Sequence, residues 1–87
     1  MPSVASFDGI DILLRYRDHP PAHFHVRYGG EVVAIVGIVE ITILEGDLPV
    51  SIRHSVLAWT ALHQAELRAD WELARAGLPL HSIAPLD

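Results

Sequence analysis

From Pro49 to Ala76 the chain meets no glycine and no second proline, whereas every stretch before it is cut at short intervals by Gly or Pro. That asymmetry restricts the fold more than any single residue, because an unbroken run of this length suits a helix and far exceeds a strand. Within it Ile52, Val56, Trp59 and His63 recur at spacings of four, three and four, which places them on one helical stripe facing a sheet. Beyond Glu66 the apolar positions move to Leu67, Trp71 and Ala74, roughly a quarter turn away by the 3.6-residue period, so the helix is expected to kink or to split there. Asp47 is a cap candidate before Pro49, and Gly77 and Pro79 end the run.

The first half reads as strands. Residues 10–17 alternate, with Ile12, Leu14 and Tyr16 on one face and Leu13, Arg15 and Arg17 on the other, after an Asp8-Gly9 turn. Asp18-His19-Pro20-Pro21-Ala22 cannot continue a ladder, because two prolines lack donors and restrict the residues before them. His23 to Tyr28 alternates again, putting His23, His25 and Arg27 on one face, and Gly29-Gly30 closes it as a hairpin. Glu31 to Glu45, rich in Val and Ile, reads as one long strand or as two broken near Gly37 or Glu40. With 87 residues there is room for one core. The expectation is a single α+β domain, 1–87: β-rich over 1–46, helical over 47–77, and an extended apolar tail over 78–87 lying back on the domain. About four antiparallel strands pack on a long C-terminal helix, kinked or split.

Composition excludes several classes of function. The chain has no cysteine, which rules out disulfides and thiolate zinc sites, so any metal must be held by His, Asp and Glu. The net charge of -5 argues against coating nucleic acid by bulk charge, yet residues 15–27 carry Arg15, Arg17 and Arg27 against the single acid Asp18. Nucleic acid remains a partner only through local contacts. No lysine is present, so every fixed cation is a guanidinium suited to carboxylate or phosphate. The Val32 to Val39 apolar run spans eight residues against the roughly 20 needed to cross a bilayer, and Met1-Pro2-Ser3-Val4 does not open a secretory signal. A cytoplasmic protein without membrane contact is expected. Apolar residues on both faces of the Val32 to Ile43 segment exceed what one helix can cover, which predicts a homo-oligomer.

The string Asp18-His19-Pro20-Pro21-Ala22-His23-Phe24-His25-Val26-Arg27-Tyr28-Gly29 resembles the small prokaryotic family catalogued as domain of unknown function 4160. Leu44-Glu45-Gly46-Asp47-Leu48-Pro49 and the helical positions Trp59, His63, Glu66, Leu67 and Trp71 to Arg75 extend the likeness in order over nearly the whole chain. Two departures stand out: Ala22 replaces a common proline, and Val39-Glu40-Ile41 is more apolar than the family's usual turn. What the resemblance implies is modest, since the family is biochemically uncharacterised and its members are often labelled as toxin–antitoxin components or regulators; a protein partner is expected, encoded next to this chain in the toxin–antitoxin case.

Three readings of the histidine string stay open. In the first, His19, His23 and His25 bind a divalent metal, since residues two apart on a strand point the same way and three imidazoles leave a coordination position free. In the second, the same histidines are catalytic in acid–base chemistry on a phosphodiester, ribonuclease-like, with Arg15, Arg17 and Arg27 binding phosphate. In the third, the loop docks a protein partner as a binding or regulatory module and nothing is catalysed. No nucleophile motif or phosphate loop offers a fourth. His63, on the core stripe, is expected to be a packing residue.

Overall fold

The computed structural model describes residues 1–86; of the tail foreseen over 78–87, Asp87 lies outside the described residues. The described residues form strands β1 (Ser3–Phe7), β2 (Ile10–Leu13), β3 (His23–Tyr28), β4 (Glu31–Gly37) and β5 (Ile43–Gly46), then helices α1 (Val50–Leu62) and α2 (Gln64–Arg75). The sheet is an antiparallel meander in chain order, β1-β2-β3-β4-β5. Its two tight hairpins turn at Asp8-Gly9 and Gly29-Gly30, where all four residues have positive φ, from 51° to 82°, as turns of matching twist require.

Two expectations are corrected, the strand count and the end of the second strand, and two open alternatives are decided. The strands number five, not four, because Ser3–Phe7 adds an edge strand whose small, weakly alternating residues gave little pattern in the sequence. The second strand stops at Leu13 instead of running to Arg17: the Leu14 N–H donates to Pro2 O at 3.0 Å and the Arg17 N–H to Ala74 O at 3.1 Å, so the backbone leaves the ladder. Glu31 to Glu45 is two strands, parted after Gly37, whose N–H donates to Thr42 O at 2.8 Å. The helical half is not one long kinked helix but two helices meeting at His63, with φ -114° and ψ 22°. That break lies just before Glu66 and swings Leu67, Trp71 and Ala74 inward, all of them buried.

Phe24, Val26, Ala34 and Val36 form the sheet's side of the core, against Val56, Trp59, Leu67 and Trp71 from the helices. Trp59 is fully buried, its ring 5.3 Å from that of Phe7 and 6.1 Å from that of Phe24, and its indole N–H donates to Ala84 O at 2.8 Å. The tail does lie back: Ile83 is in the core and its N–H donates to Val4 O at 2.8 Å, while the His81 N–H donates to Asp70. The other face of the sheet carries a cross-strand row, Leu13, His25, Ile35 and Glu45, set by the register of β2 to β5. Among the described residues, no helix is long and apolar enough to cross a membrane.

Candidate functional site

Residues 14–22 join β2 to β3: Leu14 enters the core and Ala22 packs on it, while Asp18 turns to the face that carries His25. Two contacts from α2 hold this segment, the Arg17 N–H on Ala74 O and the Arg75 guanidinium on Asp18 O at 3.0 Å. The Ile38 N–H closes it at the other end by donating to Ala22 O at 3.0 Å. Asp18 is thereby carried inward until only 5 % of it is exposed. A buried carboxylate must be paired to persist, and three donors or ring nitrogens surround this one. The His19 N–H donates to Oδ1 at 2.9 Å, while His23 Nε2 and His25 Nε2 lie 2.8 and 3.2 Å from Oδ2. Burial by itself would raise the Asp18 pKa; hydrogen bonds from His25, the His19 backbone and His23, with the charge of His23, outweigh it and hold the carboxyl below its ordinary 3.8.

His23 defines what the centre requires. Its Nδ1 lies 2.7 Å from Pro21 O, and a carbonyl only accepts, so Nδ1 carries the hydrogen. In a neutral ring Nε2 then presents a lone pair, and it faces a carboxylate oxygen that also only accepts. Two acceptors 2.8 Å apart need a positive charge between them, either a second ring proton or a metal ion. A ring fixed by Nδ1–H donation to a backbone carbonyl, with Nε2 free to ligate, is the arrangement that metal-bound histidines adopt. Asp18, His23 and His25 each offer one ligand atom, and these lie within 4.8 Å of one another. Tetrahedral bonds of about 2.0 to 2.2 Å put ligand atoms roughly 3.3 Å apart, so an ion would enter after the His23–Asp18 pair opens by about 0.5 Å.

The residues singled out in the sequence separate in space. His23 and His25 come together, buried, with Trp71 packed against His23 at 5.2 Å between ring centroids. His19 stands at the rim, its side chain 83 % exposed and its Nε2 3.7 Å from Asp18 Oδ1, so Asp18 takes the third place in the buried group. Arg27 is bound to Asp11 through Nε and Nη2 at 3.0 and 2.9 Å, and Arg17 lies against the Gly77 turn. Of the three arginines only Arg15 lines the cleft over the centre. That cleft, of about 510 Å³, is bounded by Arg15, Asp18, His19, Pro21, His23, His25, Ile35, Leu44 and Glu45. His63 is remote from it, packed on Trp59 at 5.4 Å and paired with Glu66 at 2.7 Å. The member of the buried group missed by sequence reasoning was Asp18, whose signal was its standing as the one acid among the arginines, directly before His19-Pro20-Pro21.

The model of a family described only as a domain of unknown function, DUF4160, matches residues 9–72, from the turn before β2 through Glu72 of α2. The chain belongs to the DUF4160 family. The match takes in Asp18, His23, His25 and the whole wall of the cleft, so the centre lies within the DUF4160 region. A search of curated proteins finds no match. A search of solved structures finds none either.

Proposed function

We propose that this DUF4160 protein is a small metal-binding module in which Asp18, His23 and His25 hold one divalent ion of the zinc class and leave a coordination position open toward the cleft. The observation that carries the reading is the pair of facing acceptors, His23 Nε2 and Asp18 Oδ2, with His23 Nδ1 already committed to Pro21 O. Two imidazoles and a carboxylate suit zinc, iron or manganese, and three protein ligands are the number that catalytic and ligand-exchanging sites use. Metal binding competes with protons for the imidazole nitrogens, so affinity should weaken in acid.

Elemental analysis of purified protein tests it directly, followed by titration of metal-free protein with cobalt, zinc and manganese under thermal unfolding. One equivalent bound and a raised Tm are expected, with binding lost in His25→Ala. Absence of uptake for every ion, at millimolar metal and pH 7.5, would refute the reading.

A second reading has its own support. If a proton fills the place between His23 and Asp18, the pair orients imidazoles beside Arg15 and the exposed His19, the parts of an acid–base site for a phosphodiester. A chelator leaves that site untouched, whereas it strips the metal centre. No toxin–antitoxin role is needed by either reading.

A further inference from the structure

We infer that the cleft over this centre takes a small amphipathic monoanion: an oxyanion head shared between the bound ion and Arg15, with an apolar body lying on Ile35 and Leu44. The inference rests on the metal reading above.

Arg15 is the fixed cation of the cleft. It follows Leu13 by two residues on the side where Leu13 pairs with His25, and it is exposed. Among the described residues it makes no ion pair, whereas Arg27 and Arg53 are engaged with Asp11 and Asp47. A guanidinium fork matches the paired oxygens of a carboxylate or a phosphate. With an ion held by Asp18, one end of the cleft is therefore doubly suited to an oxyanion, ligated on one side and hydrogen-bonded on the other.

The register fixes what lies at the far end. His25, Ile35 and Glu45 sit side by side on β3, β4 and β5, so Glu45 stands two strand spacings, about 10 Å, from His25. Between them the floor is Ile35, half-buried, and the wall is Leu44, 44 % exposed. Leu44 and Pro21 also border a second cleft of about 490 Å³, lined otherwise by Ala22, Gly37, Val39 and Glu40, so the apolar track continues past the first. The volume is in the range of small-molecule sites. Glu45 and Glu40 repel a second negative charge there, which makes the specificity repulsive as well as attractive. A dianion long enough to reach Glu45 is rejected; a monoanion with an apolar tail is accepted.

The test uses the full chain loaded with cobalt or zinc, and four monoanionic probes followed by calorimetry: acetate, dimethyl phosphate, 4-phenylbutyrate and methyl phenyl phosphate. The phenyl probes should bind at least tenfold more tightly than acetate and dimethyl phosphate, and preference between the two phenyl probes identifies the head group. Arg15→Gln should weaken the phenyl probes at least tenfold with metal stoichiometry unchanged. Leu44→Ser should bring them down to the level of acetate and dimethyl phosphate. Adipate should bind weakly and recover in Glu45→Gln. A chain that takes up no metal overturns the reading beneath the proposal. A chain that takes up metal but binds the phenyl probes no better than acetate, or is indifferent to Arg15→Gln, overturns the proposal alone.

Discussion

Exchanging Asp18 for alanine and for asparagine separates its two duties, holding the loop and holding an ion. In the alanine variant, three interactions with a charged group disappear, those with the His19 N–H at 2.9 Å, His23 at 2.8 Å and His25 at 3.2 Å. Each is worth about 1.5 to 3 kcal/mol, but the several kcal/mol required to bury a carboxylate is recovered, so the net loss should be about 3 to 5 kcal/mol. A domain of this size has only about 4 to 13 kcal/mol in all, so the variant should sit close to unfolding. Asparagine keeps an acceptor for the His19 N–H and turns two amide hydrogens toward the imidazole lone pairs, so it should lose only about 1 kcal/mol. It should also lose metal-dependent stabilisation entirely. The acid limb gives a second signature. The folded-state pKa of Asp18 lies below its ordinary 3.8, so its contribution is full above that value and fades as pH falls through the lowered one. The asparagine variant should lack that fading. Urea unfolding at pH 7.5, with chelator and with zinc, followed by a series down to about pH 2, measures each quantity. An alanine variant within about 1 kcal/mol of the parent, or an asparagine variant as unstable as the alanine one, would refute the argument.

Three further outcomes are expected. His63→Ala removes the contacts with Trp59 and Glu66 at the helix junction and should lower stability by about 1 kcal/mol in chemical denaturation without altering metal uptake; lost uptake would contradict its placement. Asp70 is 1 % exposed, and among the described residues its Oδ2 has no hydrogen-bond partner. Burial raises its pKa against the opposing His81 N–H, so the folded state holds the proton more tightly and stability declines as pH rises from 3.8 through the raised value. Asp70→Asn should therefore be at least as stable as the parent at pH 7, with the advantage gone near pH 3; a loss at pH 7 would contradict this. Gly46→Ala would drive a Cβ into the Val33 carbonyl oxygen at φ +74°, and its Tm should fall by about 10 °C or more, which calorimetry would show.

How much of this was legible in the sequence depended on how local each signal was. The strand His23–Tyr28 was readable residue by residue, because alternation and the Gly29-Gly30 turn reinforced one another. The class of the fold followed from the unbroken run after Pro49. What failed was set by tertiary contacts. The end of β2 depends on α2 taking the Arg17 N–H, some sixty positions away, and no pattern near Leu13 announces it. The site was half visible. Strand alternation paired His23 with His25, but only the fold tells that His19 stays outside while Asp18 goes in, since both lie on a loop whose course is dictated by Arg75 and Ala74. Arg15, Arg17 and Arg27 looked equivalent by spacing and are not, because Asp11 neutralises one and the Gly77 turn occupies another.

The pinning of the Asp18 loop by α2 has a kinetic consequence. Asp18, His23 and His25 lie within eight consecutive positions, and every strand pairing joins sequence neighbours, so the sheet can zip early with little loop entropy lost. Yet the backbone at Arg17 and Asp18 is held by Ala74 and Arg75, at the C-terminal end of α2 and far along the chain from the sheet. The expected order is that the carboxylate reaches the two imidazoles as α2 docks, late in folding. An ion added before refolding should leave the folding rate almost unchanged and slow unfolding instead, lengthening the lifetime of the native state without hastening its arrival.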